Sequence, residues 1–344
     1  MPNEILTRAI DELCEGSHLT ADHTSAVLAE IMEGRGSEAQ IAAFLIALRA
    51  KGETVPELVG LARTMRELAA EVEVDPEGLV DTAGTGGGPA TYNVSTTAAL
   101  IAAGAGCRVA KHGNRSATSK CGSADLLEAL GVSIELTPEQ VATCIDELGF
   151  GFMFAPRHHA ATRHVVPVRK ELGVRTIFNL LGPLTNPAGA RRQLLGVADR
   201  SYQETIAEAL IGLGCERALV VSGDDGLDEL SLSGRTRVIE VSDGGTEEWF
   251  ADPAELGLEP APIEAVAGGE PDANAAVVRG VLAGEAGPAL DLALLNAGAA
   301  ILVAGGAEDL AAGIERARES VAGGAATTVL EKLVERSRAL AGSG

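Results

Sequence analysis

A glycine-rich segment near residue 84 holds the first side chains that could carry chemistry. It runs from Asp81 to Thr96 with the sequence DTAGTGGGPATYNVST. Glycines let backbone N–H groups approach an oxyanion, and a helix that begins near Ser95 adds the positive end of its dipole. An ordinary strand-to-helix turn is the alternative, since neither a dinucleotide-binding fingerprint nor a P-loop spacing is present. The polar side chains expected to hold phosphate oxygens or a hydrated metal are Thr91, Asn93, Ser95 and Thr96.

A second segment concentrates hydrogen-bond donors. It runs from Lys111 to Asp125 with the sequence KHGNRSATSKCGSAD and combines two lysines, an arginine, a histidine and several hydroxyls. The rest of the chain is strongly acidic, so this composition suits a ligand with several phosphates. A solvated basic loop is the other interpretation.

A third segment is acidic and follows a predicted strand. Its sequence from Gly223 to Leu230 is GDDGLDEL. Ligands of α/β proteins bind at the carboxyl ends of strands, and Mg²⁺ prefers a few carboxylates together with substrate phosphates. An acidic surface turn would have the same composition.

A fourth segment, Arg157 to Gly173, reads RHHAATRHVVPVRKELG. The spacing of His159 and His164 invites a metal site, but no cysteine or carboxylate stands at ligand spacing beside them. Arg169 could form a bidentate pair with a substrate carboxylate. Pairing with Glu171 or with a helix end would be its structural use.

The elements that must position these segments form two kinds of pattern. Residues 1 to 73 predict helices only, with capping boxes at Ser37/Gln40 and Thr54/Glu57. From Leu79 onward short β-like runs alternate with helices, which predicts an α/β unit with a largely parallel sheet. The C-terminal third beyond Asp272 predicts mostly helix. The predicted strands are 79–81, 107–110, 132–136, 150–154 and 218–222.

Composition limits the classes of protein that this chain can be. Its 344 residues include 27 Lys and Arg against 49 Asp and Glu, a formal net charge of -22, which disfavours general binding to nucleic acid or anionic membrane. Five scattered cysteines argue against a disulfide framework or a zinc ribbon. The N-terminal stretch lacks the features of a signal peptide, and the longest apolar run, Leu292 to Ala307, is interrupted by Asn296. We therefore expect a soluble, cytoplasmic protein.

Taken in order, the four segments resemble the anthranilate phosphoribosyltransferase family of tryptophan biosynthesis. The resemblance covers nearly the whole chain, and its most specific parts are KHGNRSATSKCGSADLLEAL and RTIFNLLGPLTNP. It implies a small helical domain, residues 1–73 with about 163–187, that usually forms a homodimer. It also implies a larger α/β domain, residues 74–162 and 188–344, with a mostly parallel central sheet flanked by helices. The family transfers a 5-phosphoribosyl group from phosphoribosyl pyrophosphate (PRPP) to the amine of anthranilate.

The resemblance also implies roles for individual residues. Anthranilate is expected near Gly84, Asn114, His159 and Arg169. About two Mg²⁺ ions are expected at Ser95, Asp228 and Glu229. Lys111 would stabilise the leaving pyrophosphate, and His112 as a proton acceptor is a hypothesis only, since an aryl amine is already neutral at pH 7. The residues expected to bind PRPP are Gly84, Gly87, Gly88, Thr91, Asn93, Ser95, Thr96, Lys111, Ser119 and Ser123.

Two departures from the family pattern have consequences. The glycine loop has Gly88 where the family usually has aspartate, and it is about one residue shorter. The missing carboxylate predicts an altered Mg²⁺ dependence, with weaker inhibition at high Mg²⁺. The family's HPAM run is HAAT here, from His159 to Thr162, which leaves the acceptor channel undefined. A pyrimidine nucleoside phosphorylase of the same fold, and a non-catalytic paralogue that only binds ligand, are the alternatives.

Overall fold

The computed structural model describes residues 2–116 and 119–342, in which a helical unit precedes an α/β unit. Ala117 and Thr118 of the basic segment, Met1 of the predicted helical domain, and Ser343 and Gly344 of the predicted α/β domain lie outside the described residues. The fold class expected from the sequence is confirmed.

Four helices form the N-terminal unit, and the predicted caps begin two of them. The Ser37 hydroxyl accepts a hydrogen bond from the Gln40 backbone N–H at 3.3 Å. The Glu57 carboxylate accepts one from the Thr54 N–H at 2.8 Å. Each cap satisfies a donor that would otherwise stay unpaired at the start of the helix. The helices are α1 Glu4–Cys14, α2 Ala21–Met32, α3 Glu38–Lys51 and α4 Val55–Glu67.

A seven-stranded sheet forms the centre of the α/β unit. Its spatial order is β3-β2-β1-β4-β5-β6-β7, with parallel pairing from β3 through β5 and antiparallel pairing of the last two strands. Because the strand order reverses between β1 and β4, a crevice opens there at the carboxyl ends of the strands. The strands are β1 Leu79–Gly84, β2 Arg108–Gly113, β3 Phe150–Phe154, β4 Arg192–Gly196, β5 Arg217–Gly223, β6 Thr236–Ser242 and β7 Gly245–Ala251.

One strand prediction is wrong. Residues 132–136 form no regular secondary structure and join no strand. The side chains of Val132, Ile134 and Leu136 are buried in the hydrophobic core of the α/β unit, which accounts for the alternating pattern. The backbone N–H of Ser133 donates to the Ser337 hydroxyl at 3.0 Å instead of to a neighbouring strand. Sequence analysis also missed β4, β6 and β7; β7 is exposed over most of its length and shows no buried face.

The remaining helices cover the sheet. Gly305 and Gly149 end two of them in the left-handed conformation that favours glycine. The helices are α5 Val94–Gly104, α6 Ser123–Leu130, α7 Pro138–Leu148, α8 Ala155–His158, α9 Val166–Leu172, α10 Phe178–Leu181, α11 Gln203–Gly212, α12 Pro271–Leu282, α13 Pro288–Ala304, α14 Leu310–Ala322 and α15 Ala325–Ala341.

The two faces of the sheet belong to different hydrophobic cores. In β5, Leu219 and Val221 pack with α5 and the C-terminal helices, while Ala218 and Val220 pack with the helical unit. Apolar residues between 165 and 184 also pack in the core of the helical unit. The domain boundaries themselves stay a prediction. Within residues 2–116 and 119–342, no helix has the length and apolar composition needed to cross a membrane.

Candidate active site

The glycine loop lies at the carboxyl end of β1, next to the crevice. Gly86 and Gly87 have positive φ values of 66° and 93°, which let the loop turn with its backbone exposed. The Thr85 N–H donates to the Gly196 carbonyl at 2.9 Å, which joins the loop to the end of β4. The loop is therefore fixed to both strands that border the crevice.

The acidic turn after β5 contacts this loop directly. The Asp228 carboxylate accepts a hydrogen bond from the Gly86 N–H at 2.8 Å. The Glu229 carboxylate accepts one from the Ser95 N–H, in the first turn of α5, at 3.2 Å. A Cβ atom on Gly84 would overlap the Asp228 carboxylate. Two segments that are more than 130 residues apart in the chain thus form one polar floor.

The electrostatics of this floor favour a divalent cation. Burial raises the pKa of Asp228, and burial together with the neighbouring Asp228 charge raises the pKa of Glu229 to about 8. Both shifts come chiefly from burial, which disfavours the charged carboxylates, and a bound cation would stabilise the charged form of each. Across the described residues, no group of three or more His, Cys, Asp and Glu side chains converges on a metal position. Two carboxylates beside the Ser95 hydroxyl fit Mg²⁺, which takes oxygen ligands and leaves positions for substrate phosphates.

Lys111 lies behind this floor rather than in the open cleft. Its side chain is 2% exposed, and the ammonium donates to the Thr82 carbonyl, to the Thr82 hydroxyl at 3.1 Å and to the Ser95 hydroxyl at 3.3 Å. Burial lowers the pKa of Lys111, which Asp81 and Glu229 oppose by charge. In this conformation Lys111 contacts the site through the Ser95 hydroxyl, and its charge also acts directly on Glu229.

Asn93 connects the glycine loop to the basic segment. It begins α5 with a φ of 70°, a left-handed conformation that asparagine tolerates. Its side chain donates to the Cys121 carbonyl at 3.0 Å and accepts from the Asn274 side chain at 2.8 Å. The side chain of Thr96 is buried, and its hydroxyl has no hydrogen-bond partner in the described parts of the chain.

The basic segment folds back on itself. The Ser119 hydroxyl bonds to the Ser116 hydroxyl at 2.6 Å, and the Ser123 hydroxyl donates to the Asn114 carbonyl at 3.3 Å. Asn114 is exposed. Arg115 pairs with Asp125 and Glu128, so its charge is largely compensated. Two of the residues predicted to bind PRPP, Ser119 and Ser123, thus already form hydrogen bonds within the segment.

Three histidines cluster where the two units meet. The rings of His112 and His159 lie 5.0 Å apart, and His158 donates to the Ala70 carbonyl at 3.0 Å. Burial lowers the pKa of all three, that of His159 to about 4. Within residues 2–116 and 119–342, the Nε2 atoms of all three lack a hydrogen-bond partner. All three are therefore neutral at pH 7.

Arg169 is a partly buried cation. Its guanidinium lies 5.2 Å from the centre of the Phe178 ring, and burial lowers its pKa. In the described residues it forms no ion pair, either with Glu171 or with any other carboxylate. Within the described residues, no hydrogen bond connects Arg169, His159 or Asn114 to the polar floor that contains Asp228 and Glu229.

Sequence analysis missed three residues that support the site. Asn274, in α12, bonds to Asn93 and accepts from the Gly269 N–H at 2.7 Å. Arg175 donates to the Gly86 carbonyl at 2.9 Å. Asn296 bonds to the acidic turn. The signal for Asn296 was its place in an apolar run, whereas Arg175 and Asn274 had no such signal.

Comparison with known proteins agrees with this geometry. Two family models match the chain: "Glycosyl transferase family, a/b domain" over residues 76–327 and "Glycosyl transferase family, helical bundle domain" over residues 7–69. An anthranilate phosphoribosyltransferase of Rubrobacter xylanophilus is 54% identical over 99% of this chain and 100% of its own length.

Solved structures extend the comparison to three dimensions. The chain is similar to the anthranilate phosphoribosyltransferase of Thermus thermophilus, with a TM-score of 0.91 and 48% identity over 96% of this chain and 99% of that one. The Saccharomyces cerevisiae enzyme, solved in complex with PRPP and Mg, has a TM-score of 0.88 and 28% identity over 97% and 98% of the two chains. That enzyme was also solved with 4-fluoroanthranilate. The chain belongs to the anthranilate phosphoribosyltransferase family.

Proposed function

We propose that this protein transfers the 5-phosphoribosyl group of PRPP to the amine of anthranilate, as a step of tryptophan biosynthesis. The observation that carries the proposal is the junction of the glycine loop with the acidic turn, through Gly86–Asp228 and Ser95–Glu229. An anion-binding loop and a pair of hard carboxylates are what a pyrophosphate–Mg²⁺ group requires. The full-length similarity to enzymes of this name supports the same conclusion.

In the proposed reaction the amine nitrogen forms a bond to C1 of the ribose while the bond from C1 to pyrophosphate breaks. The products are N-(5-phosphoribosyl)anthranilate and pyrophosphate, and the extra proton on nitrogen leaves to solvent. Mg²⁺, about two ions per site, would neutralise the charge of the leaving group. Asp228, Glu229 and the Ser95 hydroxyl would hold it.

The chain's own residues would then orient the reactants and stabilise charge. Backbone N–H groups of the glycine loop, with Thr91, Ser119 and Ser123, would bind the phosphates. Lys111, acting through Ser95, would strengthen the positive field at the pyrophosphate. The neutral ring of His112 leaves it available as a proton acceptor, although the chemistry does not require one.

Arg169 is the proposed anchor of the anthranilate carboxylate. A cation that is partly buried and has no counterion in the described residues is poised for a bidentate anion. The neutral His159 ring and the exposed Asn114 would border the aromatic ring of the substrate. A fixed carboxylate orients the amine toward C1, which lowers the entropic part of the barrier.

The direct test mixes purified protein with anthranilate, PRPP and Mg²⁺. Loss of anthranilate fluorescence with equal release of pyrophosphate is the expected result. PRPP binding without turnover, at both low and high salt, would favour the non-catalytic alternative. Phosphorolysis of thymidine or uridine would favour the nucleoside phosphorylase.

We also propose that two copies associate through the helical unit. Ile5 of α1, Ile46 of α3 and Val166 of α9 are 37%, 38% and 51% exposed. Helix α3 contacts both α1 and α9, so these side chains lie on neighbouring elements. Exposed apolar side chains grouped in this way are typical of an interface between subunits.

Light scattering after size exclusion tests the dimer. Ile46→Arg should convert the dimer to a monomer, because it would bury an unpaired charge. Val277→Arg is the matched control, since Val277 is 37% exposed but lies on α12. A monomeric wild type, or a dimer that tolerates Ile46→Arg, would contradict the proposal.

A further inference from the structure

A single amide interrupts the most apolar helix of the protein. Asn296 lies in the middle of α13 and is 0% exposed. Its Oδ1 accepts a hydrogen bond from the Leu230 N–H at 2.9 Å, and its Nδ2 donates to the Leu230 carbonyl at 2.9 Å. Nδ2 also donates to the Leu292 carbonyl at 3.0 Å, one turn earlier in the helix. The amide therefore uses both donors and one acceptor.

The two bonds to Leu230 take the place of sheet hydrogen bonds just after the chain leaves the sheet. Strand β5 ends at Gly223, and Leu230 belongs to the turn that follows. A residue in a strand would exchange its N–H and C=O with a neighbouring strand. At Leu230 the side-chain amide of Asn296 takes the place of that neighbour. A buried backbone N–H or C=O without such a partner destabilises the folded state.

Leu230 directly follows Glu229, so fixing its backbone restrains the segment that carries both carboxylates. On the other side of the turn, the backbone of Asp228 packs so closely on Gly196 that no side chain would fit there. Helix α13 is itself held firmly, because a Cβ on Gly298 would lie 2.7 Å from Ile314 of α14. The acidic turn is thus clamped between the strand ends and a helix that cannot shift easily.

We propose that Asn296 is a positioning residue for Mg²⁺, holding Asp228 and Glu229 at the spacing that the ion requires. This inference rests on the proposed function. Mg²⁺ demands near-ideal octahedral geometry at short distances, so small displacements of its ligands weaken binding. No other amide takes this position in the described turn, and the amide places its acceptor and its donor on separate atoms, opposite the N–H and C=O of the same residue.

The test compares Asn296→Asp and Asn296→Ser with a matched control. Asn296→Asp keeps the acceptor and loses the donors; Asn296→Ser replaces the amide with a smaller hydroxyl group that cannot span the same two backbone groups. The control is Ser320→Ala, which removes another buried hydrogen bond, from the Ser320 hydroxyl to the Ile101 carbonyl at 2.9 Å, away from the acidic turn. Thermal unfolding of each variant measures the structural cost separately.

Two readouts report on the metal. Electron paramagnetic resonance follows the binding of Mn²⁺ to the whole protein, alone and with inorganic pyrophosphate. Initial rates give the Mg²⁺ concentration for half-maximal turnover. In the Asn296 variants we expect Mn²⁺ binding to weaken about 10-fold or more, and the Mg²⁺ requirement to rise by a similar factor. The kcat at saturating Mg²⁺ should stay within about 3-fold, because the ligands themselves remain.

Wild-type affinity for Mn²⁺ in either folded Asn296 variant would overturn the inference, as would an equal loss in Ser320→Ala. Failure of both Asn296 variants to fold would also overturn it, since the amide would then serve the fold alone. If the wild type shows no turnover, the proposed function fails, and the Mn²⁺ comparison still decides the role of Asn296.

Discussion

Charged side chains in this site differ in how far their polar groups are already paired within the protein. Lys111 donates to three oxygens and is buried, whereas Arg169 has no ion-pair partner in the described residues. The lysine therefore acts on the site from behind the floor, through the Ser95 hydroxyl and by its charge on Glu229, and the arginine remains available to a ligand. Charge alone does not distinguish these roles; the surroundings of each side chain do.

Replacement of Arg169 tests this difference. Arg169→Lys keeps the charge but loses the fork that fits a carboxylate, and Arg169→Ala loses both. A hydrogen bond to a charged group is worth about 1.5–3 kcal/mol, which predicts a rise of about 10- to 150-fold in KM for anthranilate in Arg169→Ala. The KM for PRPP should change much less. Steady-state kinetics with each substrate varied would contradict the assignment if both KM values rose equally.

Gly88 permits a second test at this scale. A Cβ at this position would lie 2.5 Å from the Gly226 carbonyl oxygen, so any side chain must displace the acidic turn. Gly88→Ala adds only the Cβ, and Gly88→Asp adds the carboxylate usual in the family. We expect both variants to lose about 1–3 kcal/mol in the free energy of unfolding.

Only Gly88→Asp should then show stronger inhibition at high Mg²⁺ than the wild type, because only it adds a ligand. Mg²⁺ titrations of turnover on the three proteins separate the steric effect from the charge. Superimposable titrations of wild type and Gly88→Asp would refute the predicted effect of the missing carboxylate.

At the scale of elements, the glycine loop is supported by a segment from the C-terminal third. The Gly268 N–H donates to the Ala90 carbonyl at 3.0 Å, and Thr91 forms a bridge with Ala267. Helix α12 then supplies Asn274, whose side chain bonds to both Gly269 and Asn93. The loop that is expected to bind PRPP therefore owes its shape to residues nearly 200 positions later.

Asn274→Ala should weaken PRPP binding. The change leaves the Gly269 N–H and the Asn93 Oδ1 unpaired, a loss of about 1–3 kcal/mol that predicts a 5- to 150-fold rise in KM for PRPP. Asn274→Asp keeps the acceptor for Gly269 and loses the donor to Asn93, so an intermediate effect is expected. Calorimetric titration with PRPP and Mg²⁺ measures the affinity directly. An effect confined to the KM for anthranilate would contradict this role.

At the scale of the whole molecule, the histidine cluster links the two units. His158 bonds to the Ala70 carbonyl after α4, and His112 to the Gly182 carbonyl between α10 and β4. Their pKa values are lowered by burial in the folded protein, so the unfolded chain binds more protons below about pH 6.5. Stability should therefore fall as the pH decreases from about 7 toward 4.

The contribution of one histidine can be isolated. The pKa of His159 is lowered to about 4, so at pH 5 this residue should reduce the free energy of unfolding by about 2 kcal/mol relative to pH 7. In His159→Gln that part of the loss should disappear. Urea unfolding at both pH values gives the difference, and parallel pH profiles of wild type and variant would contradict the prediction.

The sequence alone determined much of this protein. Local patterns were sufficient for the N-terminal helices with their caps, for β1, β3 and β5, and for the segments that carry Ser95, Lys111 and Asp228. These features depend on hydrogen bonds and apolar periodicity within a few residues of each other. Residues 132–136 show the limit, because their alternation reflects burial in the core and not pairing with a strand.

Tertiary structure decided what brings the segments together. The place of β4 beside β1 creates the crevice, and the burial of Lys111 and the bonds of Asn274 and Asn296 shape its floor. These features arise between residues that are far apart in the chain, so no local pattern contains them. Whether a side-chain amide has no role, stabilises the fold or positions the ligands of a metal site depends on which backbone groups lack hydrogen-bond partners after folding.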